Sequence, residues 1–280
     1  MKTSAQVRAE IEWLRGLSEL VMAYEEVAAV RMKKIRNEVL QNREFTTGLN
    51  QIYQRLKFTY KKEAEKYKLK QNISKNGKTA RVFLSANAGF YGPIIQKTFQ
   101  LFAADLKKEK SDAVIVGRVG RYLFSQAGIK KTEPLYFDFP DGSFDRQGLK
   151  EIADQLLPYE AVVVYHGQYQ NIAVQNPLAS SISGDQLGPE AGEPARASWI
   201  FEPSFSSLLS FFESEIFVSL FAHSMYESHL SKFACRMITL DEAAENINKG
   251  IAVSLFEKER LRHKQSSKKQ LEALVRVVRN

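Results

Sequence analysis

From Ala5 to about Leu69, apolar side chains recur every three to four positions, at Ile11, Leu14, Leu17, Val21, Tyr24, Ala28, Ile35, Leu49, Ile52 and Leu56. That period matches one face of an α-helix. Glu25, Glu26 and Glu38 stand among Arg31, Lys33, Lys34 and Arg36, the mixture of signs expected on a solvated helix face. The stripe thins at Gln41-Asn42-Arg43, which leaves room for a break or bend there. A helix of about 60 residues would be roughly 90 Å long. No small core covers such a length, so it calls for a partner helix or partner chains. The same period returns from Phe205 to about Val278, at Leu208, Phe212, Ile216, Leu220, Leu230, Met237, Leu240, Ala244, Ile247 and Ile251, with Ser204 placed to cap its start.

Between these stretches the period changes. Asn72–Lys78 is polar with a glycine and reads as a turn. Strand-like runs follow at Ala80–Ser85, Ala113–Val116, Ala161–Tyr165 and Asn171–Val174, with helical patterns at Pro93–Lys108, Arg121–Ala127 and Ser143–Leu157. Nearly continuous apolar strands between amphipathic helices predict a small, mainly parallel, Rossmann-like α/β sheet. Asn176–Ser198 is rich in Gly, Pro and Ser and reads as a mobile loop. The predicted organisation is an N-terminal coiled-coil helix over 1–70, a globular α/β domain over 71–203 and a C-terminal coiled-coil helix over 204–280. Two long terminal helices joined through a compact domain can satisfy each other by antiparallel pairing.

Composition sharpens this picture. All eight prolines lie between Pro93 and Pro203. A proline costs about 3 kcal/mol inside a helix, so both ends are free to run as uninterrupted helices. The ends are also basic: residues 1–70 hold 15 Lys/Arg against 9 Asp/Glu, and residues 247–280 hold 9 against 3. A pI near 9.3 admits nucleic acid, an anionic membrane or an acidic protein surface as partner. Hydrophobic content of 44% supports a packed core. With Cys235 as the only cysteine, neither an internal disulfide nor a Cys-rich metal site is expected. His166, His223, His229 and His263 lack metal-ligand spacing. The reading finds no stretch near the ~20 apolar residues of a membrane span, and Glu10 and Glu12 argue against a secretory leader. A protein of the cytosolic side is expected.

Catalytic chemistry is thin. Ser85–Gly92 (SANAGFYG) sits where phosphate-binding loops occur, after a strand and before a helix, but lacks both the Gly-Lys-Ser/Thr and the three-glycine patterns. A tight structural turn is the better reading. His166 ends a strand with no nucleophile motif nearby in sequence, and Cys235 beside Ala234 reads as a small packed residue. No catalytic residue, cofactor or metal is expected. The basic run Arg260–Lys269 has no interleaved aromatics, which fits an acidic protein surface or a solvated helix end better than nucleic acid.

The two ends resemble the gamma subunit of F-type ATP synthases. Glu227-Ser228, Ser231, Ala234, Arg236-Met237, Ala243 and Asn246 fall at the spacings of that family's stretch E-S-x-x-S-E-x-A-A-R-M-x-A-M-x-x-A-x-x-N. Arg8, Ile11, Ala23, Glu25, Val27-Ala28-Ala29, Arg31 and Met32 fit its helix K-A-M-E-M-V-A-A-S-K-M. Ser85 with Gly89-Phe90-Tyr91-Gly92 is similar to S-D-R-G-L-C-G-G, and Phe201-Glu202-Pro203-Ser204 to Y-x-E-P-S. Each motif is weak alone; the co-linear set, from about residue 5 to 275, is far more specific. Departures are Glu19-Leu20-Val21-Met22 in place of Lys-Ile-Thr-Lys, His263 for the glutamine of an Arg-Gln pair, and Arg276 and Arg279 at an otherwise small, apolar tip. They point toward a divergent paralogue, such as one from an alternate ion-pumping enzyme.

The resemblance implies a central rotor stalk that is not itself catalytic. Its implied partners are alpha and beta ATPase subunits, an epsilon subunit and the membrane c-ring, with no nucleic acid. Its implied place is the cytoplasmic face of a bacterial plasma membrane, peripheral and held through the rotor ring. By position Arg262, with His263 beside it, is expected to contact the catch loop of a beta subunit, and Arg31, Lys33 and Lys34 to face acidic levers of the ring. Rival readings are a stalk reused in a specialised machine that does not make ATP, and a basic nucleic-acid-binding α/β protein.

Overall fold

In the computed structural model the described residues are 2–59, 65, 75–129, 133–141, 145–182 and 204–279, with the side chains of 57–59 and 276–279 excepted. The elements run α1 (Ser4–Thr59), β1 (Thr79–Leu84), α2 (Ile94–Lys108), β2 (Asp112–Val116), α3 (Arg118–Gln126), β3 (Leu135–Phe137), α4 (Arg146–Leu156), β4 (Ala161–Tyr169), β5 (Gln175–Ile182) and α5 (Phe205–Arg279). The chain falls into two compact units, Met1–Ala29 with Arg236–Asn280, and Val30–Cys235. The domain limit expected at 70/71 falls at residues outside those described, as does residue 203 on the near side of the limit expected at 203/204.

The first unit is an antiparallel helix pair. It opens on a capping box: Gln6 N–H donates to Thr3 Oγ1 at 3.3 Å, and Thr3 N–H to Gln6 Oε1 at 2.8 Å. Val21, Leu240 and Ile247 form its buried seam, with Leu14, Leu17, Ala243, Ala244 and Ile251 packed around them. A Cβ at Gly250 would lie 3.6 Å from Leu14 Cδ1, in ordinary van der Waals contact with the seam. From Arg262 to Val275 every residue of α5 is exposed.

The second unit holds the sheet, ordered β3-β2-β1-β4-β5. Its first four strands are parallel, and β5 returns antiparallel to β4. The buried apolar runs of β1, β2 and β4 need cover on both faces, the reason they read as continuous rather than alternating. Phe83 stacks on Phe102 at 5.5 Å, and Phe102 meets Tyr165 edge-on at 5.4 Å. A separate cluster, Tyr53, Leu56, Leu209 and Ile216, joins the C-terminal part of α1 to the start of α5, antiparallel again. Ser204 caps α5 as expected, its Oγ accepting from Ser207 N–H at 3.3 Å.

Four expectations are corrected. The thin stripe at Gln41-Asn42-Arg43 does not break α1; there the pair is held by polar groups instead, with Asn42 Nδ2 donating to Ser219 O at 3.1 Å and Thr46 Oγ1 bonded to Ser219 Oγ. Asn171–Val174 is a turn rather than a strand, because Asn171 Oδ1 accepts from Ala173 and Val174 N–H, both at 2.9 Å. Asn176–Ile182, the start of the expected mobile loop, is strand β5; as an edge strand it accommodates Pro177. The rest of that loop, 183–198, lies outside the described residues. Finally, one 18-residue window of α5 reaches a mean hydropathy of 1.4, apolar and long enough by composition to cross a bilayer. The fold uses part of that apolar content in a protein core, at Leu209, Ile216, Phe217 and Phe221.

Candidate functional site

Parallel strands β4, β1, β2 and β3 end along one edge, where open α/β sheets usually take their ligands. In this chain that edge receives α5. A Cβ added at Gly167, in β4, would meet Ser231 Oγ at 2.3 Å and Ile94 at 2.8 Å, so only glycine lets strand and helix come this close. Tyr91 meets Phe233 edge-on at 5.9 Å, and Phe139 meets His229 at 6.0 Å.

The turn Ser85–Gly92 is packed at Ser85, Ala86 and Tyr91, while Ala88–Phe90 are exposed. Gly117 has φ 100° and lies so near Ala86 that a Cβ would sit 2.8 Å from its N. Val119 N–H donates to Ala86 O at 2.8 Å, and Arg118 N–H to Asn87 Oδ1 at 2.8 Å. Adjacent N–H groups of Asn87 and Ala88 form the kind of concave donor pair that holds phosphates. Here the chain fills it: Asp141 Oδ2 accepts from both, at 2.7 and 2.8 Å. The other Asp141 oxygen lies 3.5 Å from Lys232 Nζ, with side chains 9% and 6% exposed. Lys232 also donates to Ser85 O at 2.7 Å and stands 5.9 Å from the Tyr91 ring centre. Taking away one member of such a buried pair leaves an uncompensated charge, costing about 3–5 kcal/mol.

Sequence reasoning missed this pair. For Lys232 the signal was weak, since its neighbours on the helix face are Ser228, His229, Cys235 and Arg236, a mixed set that does not mark it as buried. For Asp141 there was none; an aspartate after a proline reads simply as a turn.

His166 is brought to a constellation that linear spacing could not show. It is 1% exposed. Its Nε2 lies 2.9 Å from Ser180 Oγ, and its Nδ1 3.2 Å from Gly167 O and 3.9 Å from Glu227. A carbonyl can only accept, so Nδ1 carries the hydrogen and Nε2 accepts from the serine hydroxyl. Burial pushes the His166 pKa down, against an upward pull from Glu227. Burial alone would raise Glu227, but its hydrogen bond with His223 and the charges of His223, His166 and Arg43 hold it below the usual range. His229 is pushed well down by burial and by the Lys232 charge. Ser180 and His166 stand at nucleophile-to-base distance, yet Glu227 is beyond hydrogen-bond reach of Nδ1 and the imidazole is sealed from solvent. The set works as a buried polar joint between β4, β5 and α5.

The five residues expected to meet partner subunits divide between the units. Arg31, Lys33 and Lys34 belong to the second. Lys33 and Lys34 are exposed, while Arg31 is half-buried with its guanidinium carbon 5.9 Å from the Phe233 ring centre. Arg262 and His263 belong to the first, as exposed neighbours on α5. The Arg262 side chain is 80% exposed and lies 3.8 Å from Glu259.

A family model described as ATP synthase matches residues 3–266. The ATP synthase gamma chain of Pelotomaculum thermopropionicum is 22% identical over 255 residues, covering 88% of each chain. That of Chlorobium phaeobacteroides is 24% identical over 259 residues, with the same coverage. Among solved structures, the central stalk and c-ring of the Tetrahymena thermophila mitochondrial ATP synthase aligns with a TM-score of 0.56 at 17% identity, over 80% of this chain and 99% of that one. The rotor of the Euglena gracilis enzyme gives 0.53 at 12% identity, over 91% and 98%. At these identities the structures speak to the fold alone. The relatives do not favour a specialised stalk or a nucleic-acid-binding protein.

Proposed function

The chain belongs to the gamma family of the ATP synthases, and on that footing we propose that it is the central rotor stalk of an F-type enzyme, coupling ion flow through a membrane rotor to ATP synthesis or hydrolysis in a ring of alpha and beta subunits. The observation that carries this reading is the family match across 264 residues, from 3 to 266, which takes in α1, the α/β layer and α5 as far as residue 266. A shaft whose faces differ presents each surrounding subunit with a different interaction energy, and rotation passes those differences from one nucleotide site to the next. The chain transmits rather than catalyses. Its α/β layer meets the c-ring, an epsilon subunit lies beside it, and the assembly is peripheral on the cytoplasmic face of a bacterial plasma membrane.

Arg262 is the proposed contact with the catch loop of a beta subunit, with His263 adjoining. Its exposed pairing with Glu259 is weak enough to be exchanged for an acidic partner. Arg31, Lys33 and Lys34 are proposed to face acidic levers of the ring, Lys33 and Lys34 from exposed positions. Co-purification of the full chain with alpha and beta subunits tests the reading, and its failure sinks it. Within the assembled complex, Arg262→Ala is expected to lower ATP turnover several-fold while the chain's own denaturation midpoint stays put. Unchanged turnover refutes the contact.

A further inference from the structure

A rotor must pass torque between its α/β layer and α5, and in the second unit those two meet at the strand ends. We propose that Lys232 and Asp141 are the lock at that junction, positioning residues that hold the strand-end loops to α5 against twist. The inference rests on the rotor reading and adds where in the α/β unit the load is carried. Around the pair lie close-packed contacts, Gly167 against Ser231, Tyr91 against Phe233 and Phe139 against His229, with the polar joint of His166, Ser180 and Glu227 set toward β5. Apolar contacts are non-directional and slide; charge-assisted hydrogen bonds hold a direction.

Among the described ion pairs this is the one with both side chains less than one-tenth exposed. Both carboxylate oxygens are engaged, one by Lys232 and one by the Asn87 and Ala88 amides. Lys232 also grips Ser85 O, and Ser85 N–H donates to Val116 O at 2.9 Å. A twist of α5 therefore pulls on the ends of β1 and β2, the centre of the sheet, rather than on its rim.

The test uses Lys232→Met, which keeps the stem and removes the charge, and Asp141→Asn, a milder change that preserves folding if the first does not. The complex with its alpha, beta and membrane subunits is placed in vesicles, and ATP hydrolysis and ATP-driven ion uptake are read together. In both variants ions moved per ATP should drop about threefold or more while hydrolysis continues, since a buried pair fails when either partner is lost. In the full chain alone, the Asn87 and Ala88 amides should exchange with deuterium about tenfold faster in each variant, with the double variant no worse than the worse single one. Wild-type protection at those amides overturns the lock. Faster exchange with an unchanged ion-to-ATP ratio overturns its torque role and leaves the rotor reading standing. A wild-type complex that hydrolyses ATP without moving ions removes the rotor reading itself.

Discussion

Residues 216–236 of α5 and residues 262–275 of the same helix are proline-free alike, yet their surroundings are opposite. In the first stretch Ile216, Phe221 and Ala234 are 0% exposed and even Lys232 is buried. In the second, Leu271 and Leu274 are each 63% exposed, and no described side chain is buried. An isolated helix of about 14 residues is marginal in water, so local propensity alone does not account for the exposed stretch. The comparison separates two uses of one element. Where α5 meets the sheet ends it is a joint, and its side chains are fixed by packing. Where it is exposed on all sides, from 262 to 275, no described side chain is fixed by packing.

Substitutions can break that contrast, beginning with the largest effect. Phe233, 1% exposed and set against Tyr91, lies in the joint; Phe233→Ala is expected to cost about 3–5 kcal/mol, read as a lower denaturant midpoint of the full chain. A loss below 1 kcal/mol would mean that the joint is not close-packed. Gly167→Ala should cost about 1–3 kcal/mol, because its methyl would press on Ser231 and Ile94. If stability is unaltered there, strand and helix do not touch as described.

Acid sharpens the comparison by acting on the joint. His229 is held neutral by burial, so its folded pKa lies below its unfolded one. Its contribution is then fully present above the unfolded value, about 6.5, and is lost as pH falls from there toward the folded pKa. Chain stability should fall below about pH 6.5, with a slope of at most about 1.4 kcal/mol per pH unit from this residue. His229→Leu should flatten that slope, and identical pH profiles for variant and wild type would refute the assignment. His166 adds a second loss of the same sign. At the small end, Leu271→Ala on the exposed stretch should change chain stability by no more than about 0.5 kcal/mol. A larger loss would show that the stretch is covered in the isolated chain.

Much of the fold was legible because its signals are local. Helical period without proline marked α1 and α5, and apolar runs marked β1, β2 and β4 within a few residues. The short strand β3, with Leu135 45% exposed and Tyr136 39% exposed, carried no such signal. Strand β5 was hidden by Pro177 and by small residues, which read as loop until an edge position makes them tolerable. The buried groups of the site were the least legible. Ser180 approaches His166 only because β5 folds back antiparallel on β4, pairing His166 with Leu178.

Local chemistry alone therefore determined that both ends are proline-free, basic and mainly helical, and that a mainly parallel sheet lies between them; that α1 passes Gln41-Asn42-Arg43 without a break was decided by its packing. Period, proline placement and charge act over a few residues and need no distant contact. Tertiary structure decided that Asp141, rather than a phosphate, fills the loop amides, that Lys232 is buried while Arg262 is exposed, and which apolar residues of α5 enter a core. Those outcomes depend on groups brought within 4 Å from more than 50 residues away in the chain, as Asp141 is to Asn87 and Ser85 to Lys232. Only closure of the sheet against the helix sets such distances.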